Sequence, residues 1–483
     1  MSPYPALFEP RSRRAMGVVG LLAATALSAC ASLPAPTTAR VAKAPQAYAV
    51  TQSVAGASRD WPAEAWWTAY GDAQLDGLMQ EALAGSPTLA AAQARVRKAA
   101  SVVAIARSHE LPTISANGSA EEAKQSYNFG IPPEFVPHGY NDYGRATLDF
   151  SWELDFWGKN RAAVAAAVTD ARAAEAEAAE ARLMLSTNIA AAYADLTRLY
   201  AERDVAERAM SVQTETSKLV KSRVANGLDT LAEQRQAEAE PLQGQADIAA
   251  IDERIALTRN ELAALVGAGP DRGLSLTRPN AATLKPLGVP AELAANLIGR
   301  RPDVTAARWR AEAAAERIHE ARAAFYPDVN LVAFIGVQSL FLNKLTASGS
   351  DIGSVGPAIS LPIFNGGRLR AGYQGAEADR DAAVASYDAA VTEAFRQVAD
   401  VVASSRALAL ELTASRAALA ASEDAYRIAK LRYEGGLAIY PSVLLAEQDV
   451  LRRRRIVTDL DARALALDVQ LVRALGGGYH AAA

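Results

Sequence analysis

Residues 147–156, Thr147-Leu148-Asp149-Phe150-Ser151-Trp152-Glu153-Leu154-Asp155-Phe156, change chemistry at every step. Leu148, Phe150, Trp152, Leu154 and Phe156 hold one parity; Thr147, Asp149, Ser151, Glu153 and Asp155 hold the other. Successive side chains of a strand point to opposite faces, so this run predicts a strand with one apolar and one acidic side. A second run, Val355, Pro357, Ile359, Leu361 and Ile363, alternates less cleanly, and its prolines argue against a central, fully paired soluble sheet. Partner strands are expected after Pro112 and Pro327, at Thr113–Gly118 and Asp328–Gln338. Polar loops Glu121–Arg145 and Ser339–Gly353 separate the partners.

Downstream of each hairpin the period changes. From Gly366 to Glu434 there is no proline, and Val384, Val391, Val398, Ser405, Leu412, Leu419, Tyr426 and Tyr433 recur every seven residues. All but Ser405 are apolar, which makes a sustained coiled-coil seam. At ~1.5 Å per residue such a helix would run on the order of 100 Å. Trp157 to Ala225 is similar in length and, past Gly158, free of proline and glycine.

The two halves are copies. Ser86-Pro87 to Pro112 aligns with Arg301-Pro302 to Pro327 at an offset of 215, carrying Arg95 onto Arg310 and Arg107 onto Arg322. Farther on the offset is 209: Lys221, Arg223, Gly227-Leu228 and Gly267 meet Lys430, Arg432, Gly436-Leu437 and Gly476. The second copy is therefore six residues shorter between Pro112 and Ser151. The expected organisation is a first repeat over 60–285 (hairpin 111–156, long helices 157–267). A second follows over 286–483 (hairpin 327–364, long helices 366–476).

Ahead of the repeats lies a leader. Arg11, Arg13 and Arg14 precede an apolar run, Ala15–Ala29, that is too short to span a bilayer comfortably. Leu27-Ser28-Ala29-Cys30 resembles a bacterial lipobox, which makes 1–29 a signal peptide, Cys30 the lipidated N-terminus, and 30–59 a Pro/Ala/Thr-rich tether. Ordinary cleavage after Ala31 is the competing reading. Either way the chain is exported.

Composition narrows the chemistry. The net charge of -4 favours no nucleic acid, and the four-Arg run Arg452–Arg455 reads as a solvated helix face. One cysteine and four histidines, none of the histidines at helix-face spacing, leave no expected metal site or disulfide. No phosphate loop, HExxH or Gly-x-Ser-x-Gly motif is present, so no enzyme activity and no cofactor is expected.

Beyond the leader no stretch reaches eighteen uncharged apolar residues, so a membrane crossing requires a closed β-barrel. Four strands cannot close alone; two chains give eight strands and a filled lumen, three give twelve and a passage. The fold class expected is α+β: a membrane β-barrel with four strands per protomer, continuous with a long α-helical coiled-coil barrel.

Several motifs together resemble the outer-membrane efflux proteins of the TolC/OprM type: Trp61 through Tyr70-Gly71-Asp72, Arg301-Pro302-Asp303-Val304, Ala324-Phe325-Tyr326-Pro327, and Gly356 through Gly366-Gly367-Arg368. The ending Ala474-Leu475-Gly476-Gly477-Gly478-Tyr479 is similar to the lipoprotein (NodT-type) branch. The resemblance implies a homotrimer in the outer membrane, lipid-anchored and extending into the periplasm. It also implies a periplasmic adaptor and an inner-membrane pump of the RND or MFS type, with the channel a passive exit duct for drugs and small molecules. A lipid-anchored periplasmic coiled-coil scaffold without a pore is the alternative.

The resemblance also assigns roles. Asn226, Gly227, Leu228, Gly435, Gly436 and Leu437 fall at the periplasmic tips where an adaptor docks; the same glycines suit plain helix C-caps. Similar proteins often carry an acidic ring just after the second tip, but here the positions are Ser442 and Leu445, with Glu447 the nearest acid. Gate candidates are therefore Arg432, Tyr433 and Tyr440, which can tie hairpins together, and Leu444 and Leu445 as a hydrophobic constriction. Tyr433 is equally the last position of the seam. Asp149, Glu153 and Asp155 are candidates for an acidic barrel lumen, or ordinary solvent-facing carboxylates. Trp152, Phe156 and Trp157 suit an interfacial aromatic girdle or core packing where strand meets helix.

Overall fold

The computed structural model describes residues 39–44, 47–49, 52–53, 61–128, 132–280 and 299–480. Cys30, the leader 1–29, most of the tether and the expected repeat start at 286 lie outside the described residues. The elements run α1 (Ala73–Gly85), α2 (Pro87–Ser108), β1 (Thr113–Ala123), β2 (Asn141–Glu153), α3 (Lys159–Ala225) and α4 (Leu231–Leu265). A second series follows: α5 (Pro302–Ala323), β3 (Asp328–Ser339), β4 (Asp351–Ser360), α6 (Arg368–Glu434) and α7 (Tyr440–Ala474).

Element lengths reproduce the duplication. α3 and α6 each have 67 residues and α4 and α7 each have 35, with all bounds shifted by 209. α2 and α5 each have 22 residues, shifted by 215. The missing six residues come out of the hairpin loop, 124–140 in the first copy and 340–350 in the second.

Compactness does not follow the repeats. Among the described residues one unit gathers 39–41, 98–171 and 309–385, and the other gathers 42–97, 172–308 and 386–480.

The first unit holds an antiparallel sheet in the order β1-β2-β3-β4. Directly opposed residues share a face, so the register sorts the sheet's chemistry. One face carries Ile114, Ala116, Leu148, Phe150, Trp152, Leu331, Ala333, Ile335, Val355, Pro357 and Ile359. The other carries Thr113, Ser115, Asn117, Arg145, Thr147, Asp149, Ser151, Glu153, Asn330 and Gln338. Val332, Phe334 and Ile352 are apolar exceptions on it, with the Arg145 guanidinium 5.3 Å above the Phe334 ring. Ile114, Leu148, Ile335, Val355 and Ile359 are each more than half exposed.

Three expectations shift. β1 and β2 reach farther into the loop than 118 and 145, because Glu121–Ala123 pair with Asn141–Tyr143; ladder bonds form through the backbone whatever the side chains. β4 stops at Ser360, short of Leu361 and Ile363. β2 stops at Glu153, although the Leu154 N–H still donates to Val329 O at 2.8 Å.

The second unit is packed around Trp66, Trp67, Tyr70, Leu75, Leu78, Ile189, Leu196 and Leu262. Two of its buried hydroxyls are satisfied internally: that of Tyr70 donates to Asp468 at 2.6 Å, and that of Tyr193 to Asp72 at 2.9 Å. Arg301, 5% exposed, grips Asp303 through two nitrogens at 2.6 and 3.0 Å and donates to the Ala474 carbonyl at the end of α7 at 2.9 Å. The Arg301-Pro302-Asp303-Val304 motif thereby locks the final helix. Along α6 the heptad positions Val384, Val391, Val398 and Tyr433 are buried; Leu412, Leu419 and Tyr426 are half-buried, and Ser405 is exposed.

Candidate functional site

The turns between α3 and α4 and between α6 and α7 are built alike. In the first, the Gly227 N–H donates to Val224 O at 3.0 Å and the Leu228 N–H to Arg223 O at 2.9 Å. In the second, Gly436 donates to Tyr433 O at 3.0 Å and Leu437 to Arg432 O at 2.7 Å. Both glycines are left-handed, φ +71° and +74°, so each turn is a Schellman cap. The cap satisfies the helix's last carbonyls and leaves the following leucine outside. Leu228 is 64% exposed and Leu437 74%. Asn226, exposed, donates its side-chain amide back to Ser222 O at 2.8 Å, and Gly435 is likewise exposed.

Behind the turns the two hairpins are fastened to each other. The Tyr433 hydroxyl donates to Asp229, and Arg223 pairs with the same carboxylate at 2.9 Å. The Arg223 guanidinium lies 4.3 Å from the Tyr433 ring centroid and also donates to the Tyr433 carbonyl at 3.1 Å. Burial, reinforced by Asp229, pushes the Tyr433 hydroxyl well above its ordinary value; the Asp229 hydrogen bond holds Arg223 in its charged form. Tyr433, Tyr440, Val443 and Leu444 pack with Val220 and Ala237 in one small core.

That core corrects the expected constriction. Leu444 is 5% exposed inside the hairpin pair and cannot line a passage, whereas Leu445, one residue on, is 69% exposed. The helix simply turns adjacent residues to different sides. Tyr433 and Tyr440 are also interior; the Tyr433 hydroxyl reaches the other hairpin through Asp229, and Tyr440 packs in the shared core. Arg432 is exposed. Its repeat mate Arg223 has Asp229 as partner, but the equivalent of Asp229 in the second copy is Ala438.

Two site residues escaped the sequence reading. Asp229 and Arg223 form the fastening, and the available signal was a charge present in one copy and replaced by alanine in the other. Glu447, the nearest acid to the second tip, is 4% exposed and therefore not part of a ring around a passage. One of its oxygens has no hydrogen-bond partner among the described residues. Burial, then the neighbouring Glu240 charge, pushes its carboxyl up to about 7 against the opposing pull of Lys430.

On the sheet, Asp149 and Glu153 sit on the polar face. Asp149 accepts from Asn117 and Thr147, each at 2.8 Å, and Glu153 from Lys159 at 3.0 Å. Asp155 does not belong with them. It lies beyond the strand and accepts the Arg161 backbone N–H at 2.9 Å, fixing the start of α3. Trp152 and Trp157, both part-exposed, donate their indole N–H to Glu110 O at 3.0 Å and Pro327 O at 2.8 Å, and Trp157 stacks on Tyr326 at 4.8 Å. An aromatic body left open with its polar end satisfied suits a membrane boundary. No described helix is long and apolar enough to cross a membrane.

The chain is similar to a set of known proteins. The family described as outer membrane efflux protein matches residues 78–268 and 293–477. The multidrug resistance outer membrane protein MdtP of Escherichia coli (strain K12) is 32% identical over 468 residues, 95% of each chain. The fusaric acid resistance protein FusA of Burkholderia cepacia is 38% identical over 372 residues, 75% of this chain and 69% of that one. Among solved structures, the outer membrane protein VceC of Vibrio cholerae superposes with a TM-score of 0.81 at 45% identity, covering 86% of this chain and all of that one. The outer membrane channel MtrE of Neisseria gonorrhoeae, in its open state, gives 0.74 at 26% identity over 93% of this chain. MdtP and VceC are outer membrane proteins and MtrE an outer membrane channel, and the family is one of efflux proteins and not of enzymes. With its duplicated hairpins, two-faced sheet and matched helix pairs, the chain belongs to the outer membrane efflux protein family.

Proposed function

We propose that the protein is the outer membrane exit duct of a tripartite efflux system, working as a homotrimer and performing no chemistry. One observation carries this: a four-stranded sheet open at both edges whose one face is apolar from Ile114, Phe150 and Ile359 as far as Ala120, Ala146 and Val337, with Glu122, Asp142 and Asp351 only at its loop end. Exposed edges in hydrocarbon leave backbone groups unsatisfied, and only closure with other copies removes them. Three copies supply twelve strands, with Asp149 and Glu153 turned to the lumen.

The tips support the rest of the reading. Leu228 and Leu437 present apolar side chains on turns whose backbone is already satisfied, a surface suited to the hairpin of a periplasmic adaptor. The adaptor would in turn engage an inner-membrane pump of the RND or MFS type. Tyr433, Arg223 and Asp229 hold the two tips together, and Leu445 is the apolar side chain left to narrow the passage. Cys30 carries the lipid anchor. The multidrug and fusaric acid resistance relatives favour drug-like and aromatic-acid cargo.

The test is single-channel conductance in a planar bilayer, with detergent-solubilised mass measured on the same outer-membrane preparation. A trimer with discrete steps is expected. Protein that is soluble once the lipid is removed, and never conducts, would establish the poreless scaffold instead.

A further inference from the structure

The duplication states how the open edges meet. In the first hairpin Thr113 faces Ser151 and Ala123 faces Asn141. Moving β1 forward by 215 and β2 by 209 gives Asp328 opposite Ser360, which is the observed pair. It also gives Gln338 beside Ser350, whose N–H to O bond measures 2.8 Å. The two offsets therefore carry a strand junction onto its repeat mate without slippage.

The β2–β3 junction, from Gly144 opposite Ser339 to Glu153 opposite Asn330, has no mate inside the chain. Its offsets point to β4 and, backwards, to β1, the two edge strands. We infer that β4 of one copy pairs antiparallel with β1 of the next in a fixed register. Ser360 lies opposite Asn117, Ile359 opposite Gly118, Ala358 opposite Ser119 and Pro357 opposite Ala120, residue numbers summing to 477 throughout. The trimer proposed above supplies the number of copies; the register follows from the repeat.

Independent features agree with it. Ile359 and Pro357 meet Gly118 and Ala120 on the apolar face, and Ser360 meets Asn117 on the polar one; a one-residue slip would invert both. Past the end of β2, Leu154 donates to Val329 O, and the mated bond runs from Ile363 to Ile114 of the next copy. Ile363 is 79% exposed and Ile114 72%, so the junction extends β4 and covers two largely exposed apolar side chains. Within the chain, Thr147 faces Gly336, where an added Cβ would come 2.1 Å from Ala146 O. The mated rung again holds one glycine, Gly356 opposite Glu121. Pro357 has no N–H to give, so its rung carries a single bond.

Because Leu154–Val329 is hydrogen-bonded, alternation makes Ser360–Asn117 and Ala358–Ser119 non-hydrogen-bonded rungs. Their Cα atoms would lie about 4.5 Å apart, inside disulfide reach. The experiment introduces Ser360→Cys with Asn117→Cys and, separately, Ala358→Cys with Ser119→Cys. Outer membranes are oxidised mildly, resolved without reductant, and the detergent-solubilised mass is recorded. A ladder of covalent dimer and trimer is expected for both pairs. Ser360→Cys with Ser115→Cys or with Ser119→Cys should give roughly tenfold less, the shifted Cα atoms being beyond disulfide reach. Strongest cross-linking by a shifted pair overturns the register and leaves the channel reading standing. So does a trimer that no pair cross-links. A monomer without cross-links removes the channel reading itself.

Discussion

At the scale of single residues, the tips depend on a few buried polar groups. Tyr433 is fully buried, and its hydroxyl shares the Asp229 carboxylate with Arg223. Tyr433→Phe removes one hydrogen bond to a charged acceptor, and the folded protein should lose about 1.5–3 kcal/mol in denaturant titration. If this fastening restrains the passage, the same variant should conduct more than the parent in planar bilayers. Glu447 should make the stability depend on pH. Its carboxyl is raised from 4.5 to about 7, so between those values the folded state holds a proton that the unfolded state has lost. Stability should therefore fall as pH rises from about 4.5 to about 7 and level off above that, by on the order of 3 kcal/mol in all. Glu447→Gln should flatten that slope in thermal unfolding measured across pH 5 to 8; an unchanged slope would assign it to other groups.

At the scale of elements, the glycine caps separate backbone cost from steric cost. Gly436 is left-handed, but a Cβ there would touch nothing within 4 Å. Gly476 is also left-handed, and its Cβ would come 2.0 Å from Arg300 O. Gly436→Ala should therefore cost about 1–2 kcal/mol, and Gly476→Ala clearly more, since backbone must move. Comparing the two midpoints in one denaturant series decides it. The long helices were legible because a seven-residue seam without proline has few alternatives, and Ser405, its polar member, is also its exposed one. Strand ends were less legible. The alternation continues to Phe156, yet the ladder ends at Glu153, since ladder length depends on the partner strand and not on side-chain parity.

At the scale of the whole molecule, function turns on which surfaces meet lipid and which meet other proteins. Phe150 lies mid-face on the apolar side of β2. Phe150→Asp should abolish recovery in the outer-membrane fraction, whereas a scaffold would tolerate it or merely aggregate. Leu228→Asp combined with Leu437→Asp touches no core and should leave oligomer mass and conductance unchanged. Cross-linking to a periplasmic adaptor should be largely lost; undiminished capture would move docking away from the turns.

The sequence alone determined the duplication, the two-faced strands, the long helices and the turn glycines. Each is a local pattern whose period or backbone requirement is written in consecutive residues. Only the tertiary structure decided which side chains of a helix face inward. It buried Leu444 and Glu447 and exposed Leu445, drew Asp229 and Arg223 to Tyr433, and moved Asp155 from the strand to the start of α3. Those outcomes depend on contacts between residues as much as 210 positions apart, such as Arg223 and Tyr433, and no local period encodes which distant helix will cover a given face.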